Sequence, residues 1–331
     1  MSIKQCITQA WYQGSKWLYP LYPLSYLFKC IARQRRKRFL SLPPPALSKP
    51  VIVVGNITVG GTGKTPVVAA IVQQLQKQGL QVGIISRGYG GNATQYPLDV
   101  NDQIDPLLCG DEPLMLRQIT KVPVVVAPYR YQAAQYLIQQ YAVDIIVADD
   151  GLQHYRLPRD IEVVVIDGQR GMGNGHCLPM GPLREPVERL HSVDFVICNG
   201  AYQPKSNLPV TVFEMQLNPV KLYNLKTGEA YDVHHWQGKT VEAVAGIGNP
   251  HRFFETLDNL GIKPRKHVFA DHHQYKVEDL AFNSDHPIIM TTKDAVKCSA
   301  FASERCWCLV VEAELPETFW TSFLAKTASL A

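Results

Sequence analysis

The stretch Val51-Ile52-Val53-Val54-Gly55-Asn56-Ile57-Thr58-Val59-Gly60-Gly61-Thr62-Gly63-Lys64-Thr65 decides how the rest of the chain is read. A short β-branched run ended by glycine predicts a buried strand. A glycine-rich turn follows, and residues 64–79 carry helical spacing with Gly79 as the cap. Strand, glycine turn, Lys-Thr and helix in that order form the context of a phosphate-binding loop, running here from Thr58 to Thr65. The glycines let backbone N–H groups approach phosphate oxygens, and the helix N-terminus adds positive potential. Lys64 is placed to bridge the β- and γ-phosphates of ATP, and Thr65 to hold Mg²⁺ through its hydroxyl. Thr58 stands where the pattern usually has Gly, while Gly60, Gly61 and Gly63 remain. The competing reading is an ordinary glycine-rich turn between a strand and a helix.

Working outward, further buried strands are predicted at 82–86, 122–126, 144–148, 162–166 and 193–198, with helical segments between several of them, notably 129–141. Strands alternating with helices imply a mainly parallel sheet covered on both faces. Asp149-Asp150 closes the apolar run DIIVA. Carboxylates at that edge of a parallel strand point into the crevice where ligands bind, and beside a phosphate loop they suit Mg²⁺. A capping or turn role before Gly151 is the alternative. Residues 219–233 read as a hairpin around Lys226-Thr227-Gly228, and from Val241 a smaller α/β pattern begins. The predicted division is an N-terminal segment 1–45, a phosphate-loop domain 46–215, a hairpin linker 216–235 and a smaller C-terminal domain 236–331.

Charge is placed unevenly. Lys29, Arg33, Arg35, Arg36, Lys37 and Arg38 supply six positive charges, and taking them from the formal net charge of +4 leaves the remainder at −2. A local anionic partner is expected rather than a nucleic-acid surface. Residues 17–28, WLYPLYPLSYLF, precede this cluster; the run is too short to span a bilayer and suits the headgroup region. The alternative is a helix packed on the protein's own core. The 8 cysteines form no C-x-x-C pair, which points to reduced thiols rather than a zinc site.

The ordered motifs GNITVGGTGKTP, SRGYGG (86–91), GDEP (110–113), DDGLQH (149–154), LPMGPLREP (178–186), AGIGNP (245–250), ADHHQY (270–275) and TTKDAVK (291–297) resemble the tetraacyldisaccharide 4'-kinase family from about residue 50 to about 300. The resemblance implies a P-loop NTPase-like α/β/α sandwich and a second, smaller α/β domain joined by a two-stranded linker. It also implies transfer of the ATP γ-phosphate to the 4'-hydroxyl of an acylated glucosamine disaccharide 1-phosphate in lipid A synthesis. The expected location is the cytoplasmic face of the bacterial inner membrane, held peripherally or monotopically. By resemblance, Lys64 and Thr65 handle phosphate and Mg²⁺, and Asp111 is the base in a dyad with His272. Glu112, Asp149 and Asp150 serve the metal region, and Arg87, Tyr89, His154 and Glu185 line the active site.

The residues themselves leave other readings open. Asp111-Glu112 before Pro113 can be a helix cap. Adjacent His272 and His273 in a strand point to opposite faces, so one His paired with a carboxylate is expected rather than two metal ligands. Asp111 and His272 fall in different predicted domains, so their dyad is expected to form on domain closure. Thr292-Lys293-Asp294 can serve as a helix N-cap, and Arg130, Arg156 and Arg184 are candidates to receive the substrate's phosphate, with a solvated surface charge the preferred reading of each. A partitioning ATPase carries Lys where this chain has Val59, and a GTPase needs Asp where Ala295 stands.

Overall fold

The computed structural model describes residues 3–42, 44–202, 210–271 and 273–330. The chain forms two compact units, one of Met1–Arg87, Ala127–Gln216 and Glu314–Ala331, the other of Gly88–Val126 and Leu217–Ala313.

The first unit is built on a parallel sheet. Its strands lie in the order Val82–Ser86, Ile145–Asp149, Val51–Gly55, Ile161–Asp167, Phe195–Asn199 and the start of Val212–Asn224. The first five are buried along their whole length, as expected for strands covered on both faces. Helices Lys64–Lys77 and Arg130–Gln140 bury Val67, Val68, Ile71, Val72, Leu75, Ala133, Ala134 and Leu137. The last helix, Glu317–Ala328, brings Phe319 and Phe323 against Phe195, with ring centroids 5.5 and 5.8 Å away.

The second unit has the parallel order Lys263–Val268, Thr240–Ala245, Ile288–Thr291, Cys306–Glu314, with Val212–Asn224 beside the last of these. Trp236, Phe253, Phe254, Leu257 and Ile262 fill one core cluster. Residues 221–223 pair antiparallel with 230–232, as expected for the hairpin. Asn224 Oδ1 accepts from the amides of Lys226 and Thr227 at 2.9 and 3.0 Å, which fixes the turn. The insertion 88–126 supplies the antiparallel pair Leu98–Val100 and Val124–Val126, and helix Asp111–Thr120 packs on helix Thr292–Cys298.

These boundaries differ from the sequence division in two places. Segment 88–126 groups with the C-terminal unit because its helix packs there, and the last helix groups with the first unit through its phenylalanines. The chain therefore passes between units more than once, and the hairpin lies wholly inside the second.

The N-terminal segment forms helix Ile3–Gln13, a 3₁₀ turn Lys16–Leu21 and helix Tyr22–Ser41. One side is part of the first unit's packing. Leu18 and Ala10 cluster with Met180, Trp11 Nε1 donates to the Pro179 carbonyl at 3.0 Å, and Ser25 Oγ donates to the Cys177 carbonyl at 2.6 Å. Trp17, Tyr19, Leu24, Tyr26, Leu27 and Ile31 are exposed. Among the described residues, no helix is long and apolar enough to cross a membrane.

Candidate active site

Leaving its buried strand at Gly55, the chain makes the phosphate loop with Gly60 and Gly63 at φ +101 and +91. At Gly63 a Cβ would lie 2.4 Å from Asn199 Nδ2, and that amide donates to the Thr62 carbonyl at 3.1 Å. Only glycine fits there, both for backbone angle and for space. The neighbouring LPMGPLREP motif braces the loop: Val59 N–H donates to the Pro182 carbonyl at 2.8 Å and Arg184 N–H to the Ile57 carbonyl at 2.7 Å. Thr58 is buried and bridges to Leu183 in an extended pairing, which explains why a side chain is tolerated where glycine is usual. Helix Lys64–Lys77 has Gly63 as N-cap, no side-chain cap and no acid in its first turn. Its leading amides and positive potential are thus left for an anion.

Asp150 receives Lys64 Nζ at 3.4 Å and Arg184 Nη1 at 3.3 Å. Burial works to raise its pKa, but Lys64, Arg184 and Arg130 outweigh burial and hold it below the ordinary carboxylate range. Asp150 sits at φ +47, a conformation Asp tolerates better than most residues. Asp149 ends its strand buried, with Ser86 Oγ donating to it at 3.3 Å. Arg130 is 2% exposed, and burial lowers its pKa to about 10 against the pull of Asp149 and Asp150, so it stays charged at neutral pH. Arg130 and Arg184 are therefore not the solvated charges expected; only Arg156 is exposed, with its guanidinium 5.8 Å from the Phe39 ring centroid. His154 has its pKa lowered to about 4 by burial first and then by Arg130 and Arg87, so it is a neutral imidazole at physiological pH. Arg87 is exposed at the end of its strand.

Glu185, expected to line the site, is buried and makes several side-chain contacts. Its carboxylate accepts from Tyr155 Oη and from Gln153 Nε2 at 2.8 Å, and Arg189 Nε lies 3.3 Å away. Arg189 in turn pairs with Glu162, and Gln153 Oε1 accepts from Arg184 at 3.4 Å. Gln153, Tyr155 and Arg189 were not singled out from sequence. The signal available was that Gln153 and Arg184 sit inside the DDGLQH and LPMGPLREP motifs.

In the second unit, Gly110 at φ +89 caps helix Asp111–Thr120, and a Cβ there would meet the Tyr89 carbonyl at 2.5 Å. That contact joins the SRGYGG and GDEP motifs, although Tyr89 itself is exposed. Asp111 is buried in the first turn and is not the N-cap. Glu112 pairs with Lys293 Nζ at 3.3 Å, and Asp271 lies 3.7 Å from the same nitrogen. Asp111, Glu112, Asp271 and Lys293 all fall within the second unit. His272 lies outside the described residues. His273 lies beyond the end of strand Lys263–Val268 and pairs with Asp279 at 3.0 Å. Helix Thr292–Cys298 is capped by Thr291, so Lys293 is not a cap. Among the described residues, no three His, Cys, Asp or Glu side chains gather as a metal cluster.

The sequence profile described as Tetraacyldisaccharide-1-P 4'-kinase matches residues 17–328. The tetraacyldisaccharide 4'-kinase of Hahella chejuensis is 47% identical over 98% of this chain and 97% of its own length. That of Alcanivorax borkumensis is 48% identical over 96% and 95%. The crystal structure of LpxK from Aquifex aeolicus in complex with ATP has a TM-score of 0.80 at 27% identity, covering 93% of this chain and 98% of that one. The chain belongs to the tetraacyldisaccharide-1-P 4'-kinase family.

Proposed function

We propose that this chain transfers the γ-phosphoryl group of ATP to the 4'-hydroxyl of a tetraacyl glucosamine disaccharide 1-phosphate, giving the 4'-phosphorylated lipid A precursor. The observation that carries this reading is the phosphate loop: an uncapped helix start, with Lys64 as its first residue and Asp150 against the Lys64 ammonium. In the transfer, the sugar oxygen bonds to the γ-phosphorus, the bond to the β,γ-bridging oxygen breaks, and ADP leaves. Lys64 and the loop amides hold the phosphate charge as it migrates. Asp111 takes the hydroxyl proton, with His272 orienting it. Tyr89 and Arg87 are assigned to substrate contact, and neutral His154 to hydrogen bonding beside Asp150.

Mg²⁺ fits the donors present. Thr65 and the carboxylates of Asp149 and Asp150 are hard oxygen ligands, and Asp150 is kept ionised by its cations. Mg²⁺ commonly takes only one or two carboxylates and leaves the rest of its shell to phosphate and water, so a larger acidic cluster is not required. When bound, it neutralises charge on the phosphate oxygens.

The acylated substrate resides in lipid, and we assign the N-terminal segment to the cytoplasmic face of the inner membrane. Leu24, Leu27 and Ile31 recur at helical spacing and are all exposed, while Ser25, Lys29, Arg33 and Arg36 bond to 177–192. Arg35, Lys37 and Arg38 are the members of the basic cluster assigned to anionic lipid.

The activity is tested by incubating radiolabelled ATP and the lipid precursor with wild type and Lys64→Ala, then separating products by thin-layer chromatography. Labelled lipid with wild type and loss of most turnover in the variant are expected. A Lys64→Ala protein with near-normal kcat would overturn the phosphate-loop assignment.

A further inference from the structure

We propose that Lys293 is a positioning residue that locks the acidic pair Asp111-Glu112 against Asp271, in the segment that ends at Tyr275, into one working arrangement; the proposal rests on the phosphoryl-transfer reading above. Lys293 and Glu112 lie 181 residues apart in the chain, yet Lys293 Nζ is 3.3 Å from Glu112 Oε1 and 3.7 Å from Asp271 Oδ1. The charge of Asp111 reaches the same ammonium. Three carboxylates in a partly buried place repel one another, and the Lys293 ammonium among them offsets that repulsion.

The next residue secures the same segment from its other end. Asp294 is 0% exposed and accepts from Thr291 Oγ1 at 2.7 Å, from the Gly246 amide at 3.1 Å and from Tyr275 Oη at 3.1 Å. Lys297 pairs with it at 3.1 Å. Consecutive residues at the start of helix Thr292–Cys298 thus hold both ends of the segment, Lys293 at Asp271 and Asp294 at Tyr275. The same helix packs on Asp111–Thr120. Burial works to lower the Lys293 pKa, but Glu112, Asp271 and Asp111 prevail and raise it, so the clamp stays charged at neutral pH. The placement gives physical content to the TTKDAVK motif. Asp294 ties the loops at Gly246 and Tyr275 to the start of its own helix, and Lys293 extends that knot to Glu112, beside the proposed base.

The test compares Lys293→Met, which keeps the length and loses the charge, with Lys293→Arg, which keeps the charge. We expect kcat of the Met variant to fall roughly 10–100-fold, as for small misplacements of reacting groups, with KM for ATP close to wild type and a lowered Tm from the carboxylates left without their cation. Arg is expected to restore most of the rate. Hydrogen exchange over residues 268–276 should quicken in the Met variant while helix Lys64–Lys77 is unchanged, a readout that does not depend on turnover. Where Met fails to fold, Lys293→Gln carries the same comparison. Wild-type kcat and unchanged exchange in the charge-free variant would overturn the proposal. So would a loss of rate that Arg does not rescue and that tracks a fall in Tm. Absence of wild-type turnover on the lipid substrate would instead count against the activity, and the exchange result would still decide the clamp.

Discussion

Replacing Glu185 by Ala separates two accounts of that carboxylate. Family resemblance makes it a group lining the active site; its contacts make it a buried brace. The side chain is 5% exposed and that of Arg189 2%. Removing the carboxylate deprives Tyr155 Oη of its acceptor and Arg189 of one of its two carboxylates. Breaking a buried ion pair costs about 3–5 kcal/mol when the surviving charge is stranded. Arg189 keeps Glu162 and its bond to Ser192 Oγ at 2.7 Å, and Gln153 keeps the Asn56 carbonyl at 3.0 Å. The lower end, about 3 kcal/mol, is therefore expected. At roughly 2–4 °C per kcal/mol, that lowers Tm by about 6–12 °C, measurable by scanning calorimetry. Glu185→Gln retains an acceptor for Tyr155 and should fall between Ala and wild type. Turnover of the folded Ala variant should drop modestly, through looser placement of Gln153 and Arg184 beside Asp150. A variant that melts within about 1 kcal/mol of wild type yet loses more than about 100-fold in kcat would refute the brace and return Glu185 to direct contact with substrate.

Asp111→Asn and His272→Ala should each cost roughly 10²–10⁴-fold in kcat and together little more than either alone; multiplicative losses would refute a dyad. His154 has a folded pKa of about 4 against an ordinary 6.5, so its contribution to stability is complete above about pH 6.5 and is lost as pH falls toward 4. That contribution is roughly 3 kcal/mol. Tm of His154→Gln should accordingly lose less than wild type between those values, and parallel curves would refute the account. Combined substitution of Leu24, Leu27 and Ile31 by Asp should weaken binding to anionic liposomes with little change in Tm, since all are exposed, and unchanged binding would reject the membrane assignment. Removing residues 1–40 is a poorer probe, because Leu18 and Ser25 belong to the packing of the first unit.

The parallel core was legible because strands buried on both faces read as unbroken apolar runs. VIVVG, VGIIS and IIVAD were placed within a residue of their observed limits for that reason. The phosphate loop was legible because its chemistry is local, all of it lying between Val51 and Thr65. Unit boundaries were not, since 88–126 joins the C-terminal unit through a helix pair far apart in sequence. Arg130 and Arg184 looked like solvent-facing charges because nothing within a few residues reveals a partner; Arg184 meets Asp150 across 34 positions. Lys293 read as part of a helix start, and only the folded chain shows the carboxylates around its ammonium. On sequence alone the N-terminal segment suits either membrane contact or core packing. Its second helix buries Ser25 against the Cys177 carbonyl and exposes Leu24, Leu27 and Ile31, so packing on the body accounts for one side of it.

The central claim is that the phosphoryl group goes to the 4'-oxygen of the lipid disaccharide. The most direct measurement is phosphorus NMR of the purified product after complete reaction with ATP, with coupling to sugar protons locating each phosphate. The account predicts two phosphomonoesters, the original one at position 1 and a new one on the 4'-oxygen. A diphosphate at position 1, or inorganic phosphate with unchanged lipid, would contradict it.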